Sequence, residues 1–218
     1  RRGATTVLVG PPRGPVLEDA PSGTVVVPAL PTVFGASPAR SIIAVGTVLD
    51  LLEEDPGLVT QRLDEIAGVV DEELEQLSPE RDVVVNPGRQ LREFGELARV
   101  LHTGRSRHGF AIAELMSVLW SLKGLPSGVA AMDELEITPQ APARDLFHDP
   151  LLDGPLDLVP LRTVVWAEDP DVAATLPDAL AVNCETPGIG PLAAALQLIT
   201  RGLAATTYDL PEAPTEDY

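Results

Sequence analysis

Short apolar runs that end at a proline recur along the chain: Val7-Leu8-Val9-Gly10-Pro11, Val25-Val26-Val27-Pro28, Val83-Val84-Val85-Asn86-Pro87 and Val164-Val165-Trp166-Ala167-Glu168-Asp169-Pro170. They are apolar at consecutive rather than alternating positions, which predicts strands covered on both faces. The stretches between them carry helical periodicity. Strands of this kind separated by helices predict a mainly parallel α/β layer with helices on either side, a three-layer α/β/α sandwich of flavodoxin-like type. In such folds ligands bind beyond the carboxyl ends of the strands, where the proline-marked loops lie.

Residues 5–9 and 24–27 read as strands, and residues 28–38, rich in Pro, Gly and Ser, as a linker. A helix follows from Pro38 through Ile42, Ile43, Val45, Val48, Leu49, Leu51 and Leu52, apolar nearly all round and therefore expected to be buried. Residues 58–77 predict an amphipathic helix with Leu63, Ile66, Val69, Val70, Leu74 and Leu77 on the inner stripe. Asp64, Glu65, Asp71, Glu72, Glu73 and Glu75 are expected to face water. Asn86-Pro87 is a helix start, with Leu91, Phe94, Leu97 and Ala98 turned inward. Beyond it the pattern predicts a strand at 100–103, a helix at 110–123, strands at 161–167 and 180–184, a short helix at 171–176 and a last helix from Pro191. The domain reading is an α/β remnant over 1–35, linking helices over 36–80, a second α/β domain over 81–210 and an acidic tail over 211–218. A chain that opens directly into a strand reads as the end of a sheet whose other strands precede it.

Charge narrows the choice of partners. Fifteen Lys and Arg against 33 Asp and Glu give a formal net charge of −18, which argues against nucleic acid and against anionic membrane surfaces, since both require a basic face. Cys184 is the only cysteine, so no disulfide forms within the chain, as suits a reducing cytoplasm. No apolar run approaches the ~20 residues of a membrane helix.

The densest basic cluster in this acidic chain is Thr103-Gly104-Arg105-Ser106-Arg107-His108-Gly109. It joins a strand end to a helix start, where free N–H groups and the helix dipole favour an anion. Thr103 and Ser106 add hydroxyls, and Arg105 and Arg107 add bidentate phosphate donors. The spacing is neither that of a nucleotide P-loop nor that of a dinucleotide fold. Cys184 and His102 read as packing residues. The three histidines, His102, His108 and His148, lack metal-ligand spacing, and no cofactor is implied. His148, beside Asp149, is either a general acid–base group or a turn residue. Asp133-Glu134-Leu135-Glu136 is either a site carboxylate cluster or an acidic turn.

Several segments together resemble the bifunctional phosphoglucose/phosphomannose isomerases, two-domain sugar isomerase (SIS) proteins, in a divergent branch. The segments are Pro38-Ala39-Arg40, Asn86-Pro87-Gly88-Arg89-Gln90-Leu91, Leu101-His102-Thr103-Gly104, and Ile189-Gly190-Pro191 through Ile199 to Tyr208-Asp209-Leu210. The resemblance implies a SIS-like fold, a homodimer, and a phosphorylated sugar held by Thr103, Arg105, Ser106, Arg107 and Arg40. The family's Glu-Asn pair has no counterpart near Ser121-Leu122. Its second motif, which carries the catalytic histidine, is matched at 133–137 only by Glu134. Aldose–ketose isomerisation would then fall to Glu134 or Glu136 as base and His148 as acid. The alternatives are a SIS-type protein that binds a sugar phosphate without catalysis, and a purely structural half of an oligomer.

Overall fold

A computed structural model describes residues 4–10, 13–28, 37–137, 159–184 and 188–208. The chain folds as two compact units, Arg1–Glu65 and Ile66–Tyr218. In the first, strand β1 (Val7–Gly10) pairs in parallel with β2 (Val25–Pro28), Val7 opposite Val25, around a one-turn helix α1 (Pro15–Glu18). Helix α2 (Pro38–Asp50) starts at Ser37, whose side chain accepts the Arg40 N–H. The Arg40 guanidinium donates to the carbonyls of Val27 (2.9 Å) and Gly10 (3.3 Å), fixing the first turn of α2 at the carboxyl ends of both strands. The expected burial of α2 is not found: none of its residues is buried, and Val45 and Leu49 are each 58% exposed. Apolarity on every side of a helix buries it only where the fold supplies neighbours on every side, and this unit of two strands does not.

Helix α3 (Pro56–Gln76) enters the second unit, whose sheet has the order β4-β3-β5-β6 with every pairing parallel. The strands are β3 (Arg99–Thr103), β4 (Ser127–Val129), β5 (Leu161–Trp166) and β6 (Ala179–Val182). Helix α5 (Arg107–Leu122) joins β3 to β4, α6 (Met132–Ile137) follows β4, and α7 (Pro170–Ala173) joins β5 to β6. Helices α4 (Pro87–Phe94) and α8 (Pro191–Ala204) precede and follow the sheet strands.

Side-chain alternation divides the core. His102 meets both Trp120 of α5 and Trp166 of β5, and the Trp120 indole N–H donates to the Gly202 carbonyl of α8 at 3.0 Å. The intervening residue Val165 packs instead with Met132 of α6, Ala173 of α7 and Leu176. Neighbouring residues of one strand point to opposite faces, so Val165 and Trp166 belong to different parts of the core.

Several local expectations change. Leu74, expected on the inner stripe of α3, is 52% exposed, and the helix expected from 110 starts at Arg107. Val83–Val85 is a turn of 3₁₀ helix, capped by the Asp82 side chain accepting the Val84 N–H, and not a strand. The strand reading of 180–184 ends at Val182, so Cys184 lies in the loop beyond. Leu97, expected inside, is 86% exposed with φ 51°, because α4 stops at Phe94 and the chain turns left-handed there. Asn86 does cap α4, accepting the N–H groups of Gly88 and Arg89 at 3.0 Å.

Candidate functional site: the carboxyl rim of the four-stranded sheet

The sheet order creates a switch point. From β3 the chain moves outward to β4, returns to β5 on the other side of β3, and then moves outward to β6. The loops after β3 and β5 therefore diverge, one to α5 and the other to α7, and the crevice between them is where ligands bind in open parallel sheets.

The β3 loop is shaped by close backbone approach. A Cβ on Gly104 would run into the backbone of Gly109, and one on Gly109 into the Trp166 carbonyl. The first turn of α5 thus sits directly on the end of β5. Ser106 caps α5 by accepting the Gly109 N–H at 3.0 Å. The Ser106 N–H itself donates to the Glu168 carboxylate at 2.7 Å, across the crevice from the β5 loop. Ala167, which precedes Glu168, takes a left-handed φ of 56°, an uncommon conformation for a residue with a side chain that here turns Glu168 back over the rim.

Arg105, Ser106 and Arg107 are exposed, and neither arginine has an ion-pair partner among the described residues. They line a cleft of about 420 Å³ together with Phe110, Met132 and Asp133. Thr103 is fully buried, with its hydroxyl lacking a hydrogen-bond partner among the described residues. Glu134 stands on α6, and its carboxylate accepts the Ala131 N–H at 3.1 Å at the start of that helix. The Glu136 side chain and His148 lie outside the described residues. Arg40 belongs to the other unit, on the carbonyls of Gly10 and Val27. The structure thus brings Arg105, Ser106 and Arg107 together at one cleft, whose lining includes neither Thr103 nor Glu134.

His102 is enclosed by two indoles, edge-on to Trp120 with centroids 5.0 Å apart and stacked on Trp166 at 5.9 Å. Its Nδ1 accepts the Trp166 indole N–H at 3.1 Å. Burial lowers its pKa to about 3, so the ring is neutral and fixes Trp166 at the end of β5.

A larger cleft, about 830 Å³, follows the outer edge of β6 against α4. Its two arginines and its cysteine are already engaged. Arg162 donates to the Phe94 carbonyl and Cys184 donates to Gln197. Arg201 is bound to Glu73 and to the Asn183 carbonyl. Volume alone does not make it the better site, because ligand sites need convergent polar groups with free capacity.

Glu73 is the main residue the sequence reading misplaced. Expected in water, it is 1% exposed, with Arg201 Nε 2.8 Å and Nη2 3.0 Å from its two oxygens and Gln197 Nε2 at 2.8 Å. The signal was in the spacing: Ile66, Val70, Glu73 and Leu77 follow the 4-3-4 step of a single helix face. Glu168, Asp169 and Asn183 were not singled out either, although all three lie in loops that follow strands, where this fold class places its sites. Comparisons with protein-family models, with curated proteins and with solved structures give no match.

Proposed function

We propose that the carboxyl rim binds a phosphorylated sugar within a SIS-type domain. On this reading the second unit is a three-layer α/β/α sandwich and the protein acts as a cytoplasmic homodimer. One observation carries the binding proposal: the Glu168 carboxylate rests on the Ser106 N–H at the start of α5. An acid side chain of the protein thus takes the position that the helix dipole and free N–H groups offer to an anion. A phosphate would replace that carboxylate between Arg105 and Arg107, whose charge is not committed to any described acid. In a chain of net charge −18, an anionic ligand depends on such local cations.

Binding is favoured over isomerisation of the glucose 6-phosphate/mannose 6-phosphate type. The family's own catalytic residues have no counterpart here, and Glu134, one of the two carboxylates that could substitute as base, holds the Ala131 N–H. Fructose 6-phosphate at one hundred times its dissociation constant would stabilise the fold by about 2.7 kcal/mol. That corresponds to a rise in Tm of roughly 5–10 °C for a chain of this size. The rise is expected in the wild type and absent in the Arg105→Ala/Arg107→Ala double variant. No rise in the wild type at millimolar ligand overturns the proposal. A coupled assay showing turnover abolished by Glu134→Gln would restore the isomerase reading.

A further inference from the structure

A chain of hydrogen bonds links the buried core of the second unit to the rim. Glu73 of α3 holds Arg201 of α8 through Nε at 2.8 Å and Nη2 at 3.0 Å. The remaining arm of Arg201, Nη1, donates to the Asn183 carbonyl at 3.2 Å, just beyond β6. The Asn183 side chain donates to Asp169 Oδ1 at 3.1 Å. The next residue back, Glu168, receives the Ser106 N–H. Residues 73, 201, 183, 169, 168 and 106 are scattered in sequence, and the connection spans three strand ends.

We infer that Glu73 is a positioning residue for the rim: through Arg201 and Asn183 it sets where the 167–169 loop holds Glu168 over the α5 start. A buried ion pair is poor at raising stability, since two charges leave water and apolar residues of similar size do as well. Its geometry is specific, however. Glu73 accepts from two arms of the guanidinium, and that turns the third arm to the backbone of the β6 loop. The β6 and β5 loops are then joined by a side-chain bond, Asn183 to Asp169, at the exposed edge of the crevice. Displacing Glu168 by a phosphate requires the loop to shift on this tether, so the tether sets the affinity of the rim. The consequence for affinity rests on the phosphosugar reading; the tether itself does not.

The Ser106 amide resonance reports the Glu168 contact directly in a ¹⁵N–¹H spectrum of the whole chain. Glu168→Ala gives its position when the contact is lost. Asp169→Ala and Glu73→Gln are expected to move the Ser106 amide toward that position. Each should also change fructose 6-phosphate affinity by about tenfold, within the usual range of coupling between sites. Asp169→Asn, which keeps an acceptor for Asn183, is expected to leave both readouts at their wild-type values. A folded Asp169→Ala protein with an unmoved Ser106 amide overturns the inference. A folded Glu73→Gln protein with an unmoved Ser106 amide equally overturns it, and if Glu73→Gln does not fold, Glu73→Asp, which shortens the acid's reach to Arg201, is read in its place. If the wild type binds no phosphosugar, the ligand reading fails while the amide shift still decides the tether.

Discussion

His102 shows how a titratable residue on a strand of this sheet is turned to structural use. Its ring lies between two tryptophans with no access to water, and its pKa falls to about 3 because burial penalises the charged form. In the unfolded chain the same ring titrates near 6.5. Between these two values the unfolded state binds a proton that the folded state refuses, so stability falls as pH is lowered from about 6.5 toward 3 and the loss is complete below 3. The upper bound of this effect is roughly 4–5 kcal/mol. His102→Gln should flatten the pH dependence of Tm in that window, at the cost of lower stability near neutrality. Thermal melts followed by fluorescence check this, both tryptophans being in contact with the ring. A wild-type Tm independent of pH from 6.5 to 4 would show that the ring is protonated in place.

At the scale of elements, the docking of α5 on the end of β5 has least tolerance. Gly109 lies in the first turn of α5 against the Trp166 carbonyl, and backbone cannot yield to an added methyl. Gly109→Ala is expected to destabilise by about 2–3 kcal/mol, enough to lower Tm by several degrees, and to weaken anion binding because the Ser106 cap must move. Unchanged stability in that variant would mean the helix start is free to slide. The existence of α4 and α8 was legible in the sequence from their start signals, Asn86-Pro87 and Gly190-Pro191, and α5 from its apolar run, although its start was read at 110 and lies at Arg107, capped by Ser106. Other elements depend on neighbours. Val83-Val84-Val85 has strand composition, yet Asp82 accepts the Val84 N–H and Asn86 follows as a helix cap, so local hydrogen bonds override β propensity. The order β4-β3-β5-β6 was not legible, since no local pattern says that β5 returns to the far side of β3. The basic loop at 104–107 stood out in the sequence as a charge cluster. Its partner Glu168 did not, because nothing in a sequence brings residue 168 to residue 106 until that strand order is known.

The whole molecule carries 33 acidic and 15 basic side chains, and this imbalance governs its response to salt. Arg62 bridges Asp50 and Glu54 in the first unit with partly exposed partners, so added salt screens that attraction. The Glu73–Arg201 pair in the second unit is buried and little screened. Against these stands the mutual repulsion of a surplus of carboxylates spread over the surface, which acts at long range when the Debye length is about 30 Å at 0.01 M and little beyond about 8 Å at 0.15 M. Repulsion has many contributors and exposed attraction few, so raising ionic strength over that interval should raise Tm by a few degrees rather than lower it. Chloride is the suitable salt for this melt, because phosphate or sulfate would also compete for the rim. A Tm that falls between 0.01 and 0.15 M sodium chloride would mean that surface ion pairs outweigh the repulsion. The same field opposes the approach of any anionic ligand, so the first step of binding at Arg105 and Arg107 should also quicken as salt is added, the reverse of what a basic binding face would give.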